Sequence, residues 1–192
     1  VKMIIDPSAA LGPSRYGLPP HPLEIEALEK TKKEIEKIAR DCDLFVISHY
    51  HYDHYDPDAT FFEGKKVFAK DIEKNINTSQ KERGRDFKER FEEKSEIIYC
   101  DDSVHRIGST EIRFSPPFFH GPARVRLGYV IMTTVDDGQK RLLHASDVQG
   151  PVTEEAKDYI IDQNPDILVI DGPPTLFLGW KFSKKNLEDA SR

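Results

Sequence analysis

Asp43-Leu44-Phe45-Val46-Ile47-Ser48 is a nearly continuous apolar run, and it opens directly into His49-Tyr50-His51-Tyr52-Asp53-His54. An apolar run of this length reads as a strand buried on both faces. The residues that leave it carry imidazole and carboxylate, the ligands of Zn2+ and other borderline divalent metals. His49 and His51 lie two apart, so an extended loop aims them the same way, while Asp53 and His54 are adjacent and can turn to a second metal. One short loop thus supplies half the ligands of two metal ions. Any fold assigned to the chain must place the end of a buried strand beside a polar site.

The rest of the chain reads as alternating elements. Lys2 to Pro7 is a strand running into a turn-rich loop, Gly12 to Pro20. Pro22 suits a first helical turn, and Ile25, Leu28, Ile35 and Ile38 recur at helical spacing over about 22–40. Lys66 to Ala69 is a short strand. Asp71 to Lys94 is dense in charge and reads as a solvated helical excursion broken near Gly84. Lys81, Arg83, Arg85, Lys88 and Arg90 make it the most basic stretch. Ile97 to Cys100 is a strand, and Val104 to Phe114 a hairpin turning near Gly108. Leu127 to Val135 and Lys140 to Ala145 are strands joined by Asp136-Asp137-Gly138. Thr153 caps a helix with Glu154 and Glu155 in its first turn. Ile167 to Ile170 reads as a buried strand ending at Asp171, and Ser183 caps the last helix. Hairpins mixed with helices favour sheets covered by helices over a doubly wound parallel sheet.

The signature loop resembles that of the metallo-β-lactamase superfamily. Two further elements match in order: His120, after Phe118-Phe119 and before Gly121, and Asp147, closing Leu143-His144-Ala145-Ser146. The resemblance covers essentially the whole chain and implies a four-layer αββα sandwich of mixed α/β class, as a single domain over 1–192. It implies two divalent metal ions, Zn2+ by default with Mn2+ or Fe also fitting. His49, His51 and His120 would hold one ion, Asp53 and His54 the other, with Asp147 shared and Asp53 and Asp147 catalytic. The chemistry implied is hydrolysis by a hydroxide bridging the two ions. The elements Gly12 to His21, Ser146 to Pro151 and Asp171 to Thr175 resemble an archaeal branch of predicted metal-dependent hydrolases.

The chain departs from the pattern in one respect. The superfamily supplies a further metal-binding His near the end of its domain, and here no His follows His144. Either that ligand lies beyond Arg192 or the second metal is weakly held. The initial Val1 and the closing 186–192, which read as a helix cut short, predict a piece of a longer chain.

Other polar residues have two readings each. Arg15, Tyr16 and His21 line a substrate entrance or are plain loop residues. Arg124 and Arg126 share one face of a strand, where they bind phosphate or form a solvated sheet face. His144 is a buried, hydrogen-bonded strand residue or sits behind a metal ligand. Asp171 orients a metal-bound His or caps its turn.

Composition narrows the partners. Lys+Arg 28 against Asp+Glu 34 gives a net charge of −6, which argues against a basic nucleic-acid coat or a polybasic membrane binder. The two Cys form no disulfide framework and fit a reducing, cytoplasmic setting. The expected substrate is anionic, and the leading expectation is phosphodiester hydrolysis of RNA or a nucleotide. A lactonase or other small-molecule ester hydrolase is the second reading, and a non-catalytic metal-binding module the third. The sequence sets no oligomeric state and expects no membrane partner.

Overall fold

A computed structural model of the chain describes residues 1–12 and 17–191, and these divide into two compact units. The first comprises 1–72 and 79–99, and the second 73–78 and the described residues from Cys100 onward.

The first unit is built on a parallel sheet in the order β1-β2-β3-β4: β1 Met3–Ile5, β2 Leu44–Ile47, β3 Lys66–Ala69 and β4 Glu96–Tyr99. All four residues of β2 are buried, as its unbroken apolar run requires. Helix α1, Pro22–Arg40, joins β1 to β2 and begins where expected. The core is aromatic: Phe45, Phe62, Phe87 and Phe91 pack with ring centroids 4.9–5.4 Å apart along the chain of contacts.

Helix α2, Thr78–Phe91, runs unbroken through Gly84. Gly84 serves close approach: a Cβ there would lie 2.5 Å from Ile72 Cγ2 and 3.0 Å from the Tyr50 ring. The residue read as a helix breaker is the point where α2 meets the segment that leaves β2.

The second unit carries a five-stranded sheet in the order β11-β10-β9-β6-β5, with β5 Ser103–Ile107, β6 Thr110–Phe114, β9 Thr133–Asp136, β10 Arg141–Ala145 and β11 Ile167–Ile170. Only β10 and β11 pair in parallel. The Asp136-Asp137-Gly138 turn joins β9 to β10 as expected, Arg141 lying opposite Asp136. A two-stranded ribbon pairs β7 Phe118–Phe119 with β8 Tyr129–Val130. Helix α3, Glu154–Gln163, is capped by the Thr153 hydroxyl and packs Ala156 and Ile160 onto Leu143, Ala145 and Val148. A short helix α4, Lys184–Ala190, follows a Ser183 cap.

Three expectations are corrected here. The stretch 127–135 is two short strands in two sheets, not one strand. Residues 121–128 form turns, so Arg124 and Arg126 share no strand face. Arg124 takes a left-handed φ of 63°, and Gly121 and Gly128 bracket the turns at φ 84° and 92°. The apolar strand β11 lies at the sheet edge with each residue 37–49% exposed, so its apolar run does not mark burial. Among the described residues no helix is long and apolar enough to cross a membrane.

Candidate metal centre

In the first unit the ligand loop leaves the C-terminal end of β2. His49 is fully buried and His54 nearly so, whereas the Asp53 side chain is 55% exposed. Three groups hold the loop in place. The Tyr50 hydroxyl donates to the Lys70 carbonyl at 2.8 Å, the fully buried Gln80 accepts from Tyr50 N at 3.4 Å, and the Asp56 carboxylate pairs with Lys32 at 2.8 Å.

The hydrogen bonds fix the ring tautomers. Asp6 directly follows β1 and takes a left-handed φ of 51°, a conformation Asp tolerates better than most residues. Its carboxylate only accepts. It takes Ser48 N at 2.7 Å, the Ser48 hydroxyl at 2.7 Å and His54 Nδ1 at 2.9 Å. A neutral His54 therefore carries its proton on Nδ1 and presents Nε2 as the acceptor. Ser48, having donated to Asp6, accepts from His49 Nδ1 at 3.0 Å. That leaves a second lone pair, on His49 Nε2. One carboxylate thus orients two imidazoles, one directly and one through a hydroxyl.

The ring nitrogens turned away from the Asp6 network stand close to other candidate ligand atoms. His49 Nε2 lies 3.0 Å from His51 Nδ1, and His54 Nε2 lies 3.5 Å from Asp53 Oδ2. Ligands about 2.0–2.1 Å from a tetrahedral metal stand about 3.3 Å apart. In the His54–Asp53 pair both atoms are acceptors, so a shared cation suits them better than direct contact.

The second unit presents a third such pair. His120 follows β7, with its backbone N–H donating to the Gly128 carbonyl at 3.0 Å, and its Nε2 lies 3.4 Å from Asp147 Oδ1. Asp147 sits in a loop with left-handed φ at Asp147, Gln149 and Gly150. Gly121, next to His120, leaves the space that the Gln149 side chain fills. The packing of Gln149 thereby ties the His120 turn to the Asp147 loop.

The residues with two readings are placed by their neighbours. Asp171 accepts Gln149 N with both carboxylate oxygens, at 3.0 and 3.1 Å, so it braces the loop that carries Asp147 and bonds no His. Burial first, and the charge of Asp147 second, push its carboxyl up to about 7. His144 lies on β10, and its buried Nδ1 has no hydrogen-bond partner among the described residues. His21 is the N-cap of α1: its Nδ1 accepts from Leu23 N at 3.2 Å and Glu24 returns the bond to His21 N at 2.8 Å, so the ring is engaged in capping the helix. Arg124 and Arg126 are exposed, and neither forms an ion pair among the described residues. Arg15 and Tyr16 lie outside the described residues.

Asp6, Ser48 and Gln80 escaped sequence reasoning. Asp6 could have been suspected, as an acidic residue closing the strand that pairs with β2.

The fold that carries these residues is a mixed α/β fold of the metallo-β-lactamase type. Among solved structures, Zn2+-bound PqqB from Methylobacterium extorquens is similar with a TM-score of 0.50 and 15% identity, over 73% of this chain and 53% of that one. No protein-family model matches the chain. Over its whole length the chain is 40% identical to the UPF0282 protein of Korarchaeum cryptofilum, across 194 residues and 65% of that protein. It is also 40% identical to the UPF0282 protein of Thermococcus onnurineus, across 212 residues and 70% of that protein. The chain belongs to the UPF0282 family, which bears out the expected archaeal branch. It spans about two thirds of the length of these two relatives.

Proposed function

We propose that the protein is a metal-dependent hydrolase with a dinuclear centre. In this reading, which follows the ligand set that the resemblance implies, His49, His51 and His120 hold one divalent cation, Asp53 and His54 the other, and Asp147 is shared. The observation that carries it is the three pairs of ligand atoms, each 3.0–3.5 Å apart, two of them oriented by the Asp6 network. A solvated patch of His and Asp would need no such tautomer control.

Bound there, divalent cations supply Lewis acidity and a water acidified into the neutral range. The chain's own residues do the rest. Asp6 and Ser48 keep the His49 and His54 lone pairs aimed outward from their hydrogen bonds. Asp53, the most exposed of the loop ligands, is placed to accept a proton from the nucleophile. Asp171 and Gln149 keep Asp147 in its left-handed turn. The substrate proposed is an anionic phosphodiester, RNA or a nucleotide, for which Arg124 and Arg126 offer exposed guanidinium groups without ion-pair partners among the described residues.

Elemental analysis of protein purified without chelator is the test. The expected result is about two transition-metal ions per chain, a lower count in His49→Ala, and turnover of bis(p-nitrophenyl) phosphate. Metal without turnover of any ester or lactone would leave the non-catalytic module. No metal after Zn2+ or Mn2+ is added to folded protein would overturn the reading.

A further inference from the structure

Arg83, on α2, differs from Lys88 and Arg90 of the same helix. Lys88 pairs with Glu92 at 3.6 Å, and Arg90 with Asp58 at 3.5 Å. Arg83 pairs with no carboxylate among the described residues. Its side chain is nevertheless fixed and half-buried: Nη1 donates to the Tyr50 carbonyl at 3.3 Å, and the guanidinium carbon sits 4.2 Å from the centre of the Tyr52 ring. Tyr50 and Tyr52 alternate with His49, His51 and Asp53 in the ligand loop. One helical turn earlier, Gln80 reaches His51 Nε2 at 3.5 Å, so Arg83 occupies the same helix face as a residue that touches a proposed ligand.

A half-buried guanidinium without a counter-charge is costly, and the Tyr52 ring offsets only part of that cost. Five N–H donors form a planar fork, and among the described residues one of them is used. The remaining donors keep the geometry that matches two oxygens of one anion. Tyr52 is 46% exposed, so this pair of residues is reachable from solvent.

We propose that Arg83, held on Tyr52, is a specificity residue that binds a phosphate group of the substrate beside the metal-ligand loop. The inference rests on the hydrolase reading for its role in turnover, and on Arg83 alone for the binding of the anion. Stacking on the ring pre-orients the fork, so little side-chain freedom is lost when the anion arrives. A mere clamp on the loop would need the bond to Tyr50 O and no spare donors.

Two measurements on the full chain test it. In chelated protein, inorganic phosphate is titrated while the Arg83 Nε–H signal is followed by NMR. A saturating shift that acetate does not reproduce is expected, and an unmoved signal overturns the proposal whatever the activity. In metal-loaded protein, Arg83→Gln should raise KM for bis(p-nitrophenyl) phosphate about tenfold, the loss of one charge-assisted contact, with kcat within about twofold. Turnover of the neutral p-nitrophenyl acetate should be unchanged, and Arg83→Lys should recover part of the loss. Equal losses on both substrates would make Arg83 a structural clamp and overturn the proposal. A phosphate-induced shift without any turnover in the wild type would keep the anion site and sink the hydrolase reading instead.

Discussion

Asp6 accepts the Nδ1 proton of His54 across 48 positions of sequence, at 2.9 Å. The same carboxylate also takes the Ser48 hydroxyl that holds His49. Removing it should release two ligands at once. Asp6→Asn places an amide NH2 where one of three donors now bonds. Zn2+ affinity, measured by chelator competition, should fall about 10–100-fold. Ser48→Ala frees only His49 and should fall less. Equal affinities in all three proteins would show that the network does not orient the ligands.

Metal should also stabilise the fold. An ion bound by the native state alone adds about 2.7 kcal/mol at a hundredfold excess over Kd. Differential scanning fluorimetry should show Tm rising with added Zn2+, and the rise should shrink in His49→Ala. A Tm indifferent to Zn2+ in the wild type would contradict the proposed centre.

Gly84→Ala sets two effects against each other. Alanine gains about 1 kcal/mol of helix propensity over glycine. Its methyl would meet Ile72 Cγ2 at 2.5 Å and the Tyr50 ring at 3.0 Å, and overpacking of this kind costs about 1–3 kcal/mol. Packing should win, lowering the urea midpoint. The shift should carry into metal affinity, because Tyr50 lies between His49 and His51. A stabilised variant would mean that α2 moves away freely.

The raised carboxyl of Asp171 makes a pH prediction for the chelated protein. Its folded pKa of about 7 lies above the ordinary carboxylate value, so between about pH 4 and 7 the native state holds a proton that the unfolded chain has lost. Stability should therefore fall as pH rises through that window and then level off. Asp171→Asn retains an acceptor for Gln149 N and should flatten this part of the profile in urea unfolding. An unchanged slope would assign the dependence to other groups.

The candidate ligand loop stood out because its chemistry is local: four side chains of metal-ligating type within six positions, fed by an apolar strand. Helix α1 and the β9–β10 hairpin were legible for the same reason, since capping and turn residues act over a few positions. What escaped depends on distance in sequence. Asp6 and Ser48 meet only when β1 pairs with β2, and Gln80 reaches His51 only when α2 closes on the loop. Gly84 misled because its intrinsic preference and its packing role point in opposite directions. Arg124 and Arg126 misled because alternation implies a shared face only within a strand, and the residues between Gly121 and Gly128 form turns. The β11 run misled because an apolar sequence records suitability for burial and not whether something covers it.

The shortest strand of the first sheet carries a disproportionate duty. β1 has three residues, lies at the edge of its sheet and is followed by the Asp6 N–H bond to Val46 O at 2.9 Å. Short edge segments open at a fraction of the cost of global unfolding. Each opening of β1 withdraws Asp6 from Ser48 and His54 while β2 and the rest of the sheet stay folded. In the proposed centre, retention of the metal would thereby be tied to the fraying of one three-residue strand, and exchange of the ion with solvent would follow a local clock rather than the lifetime of the fold.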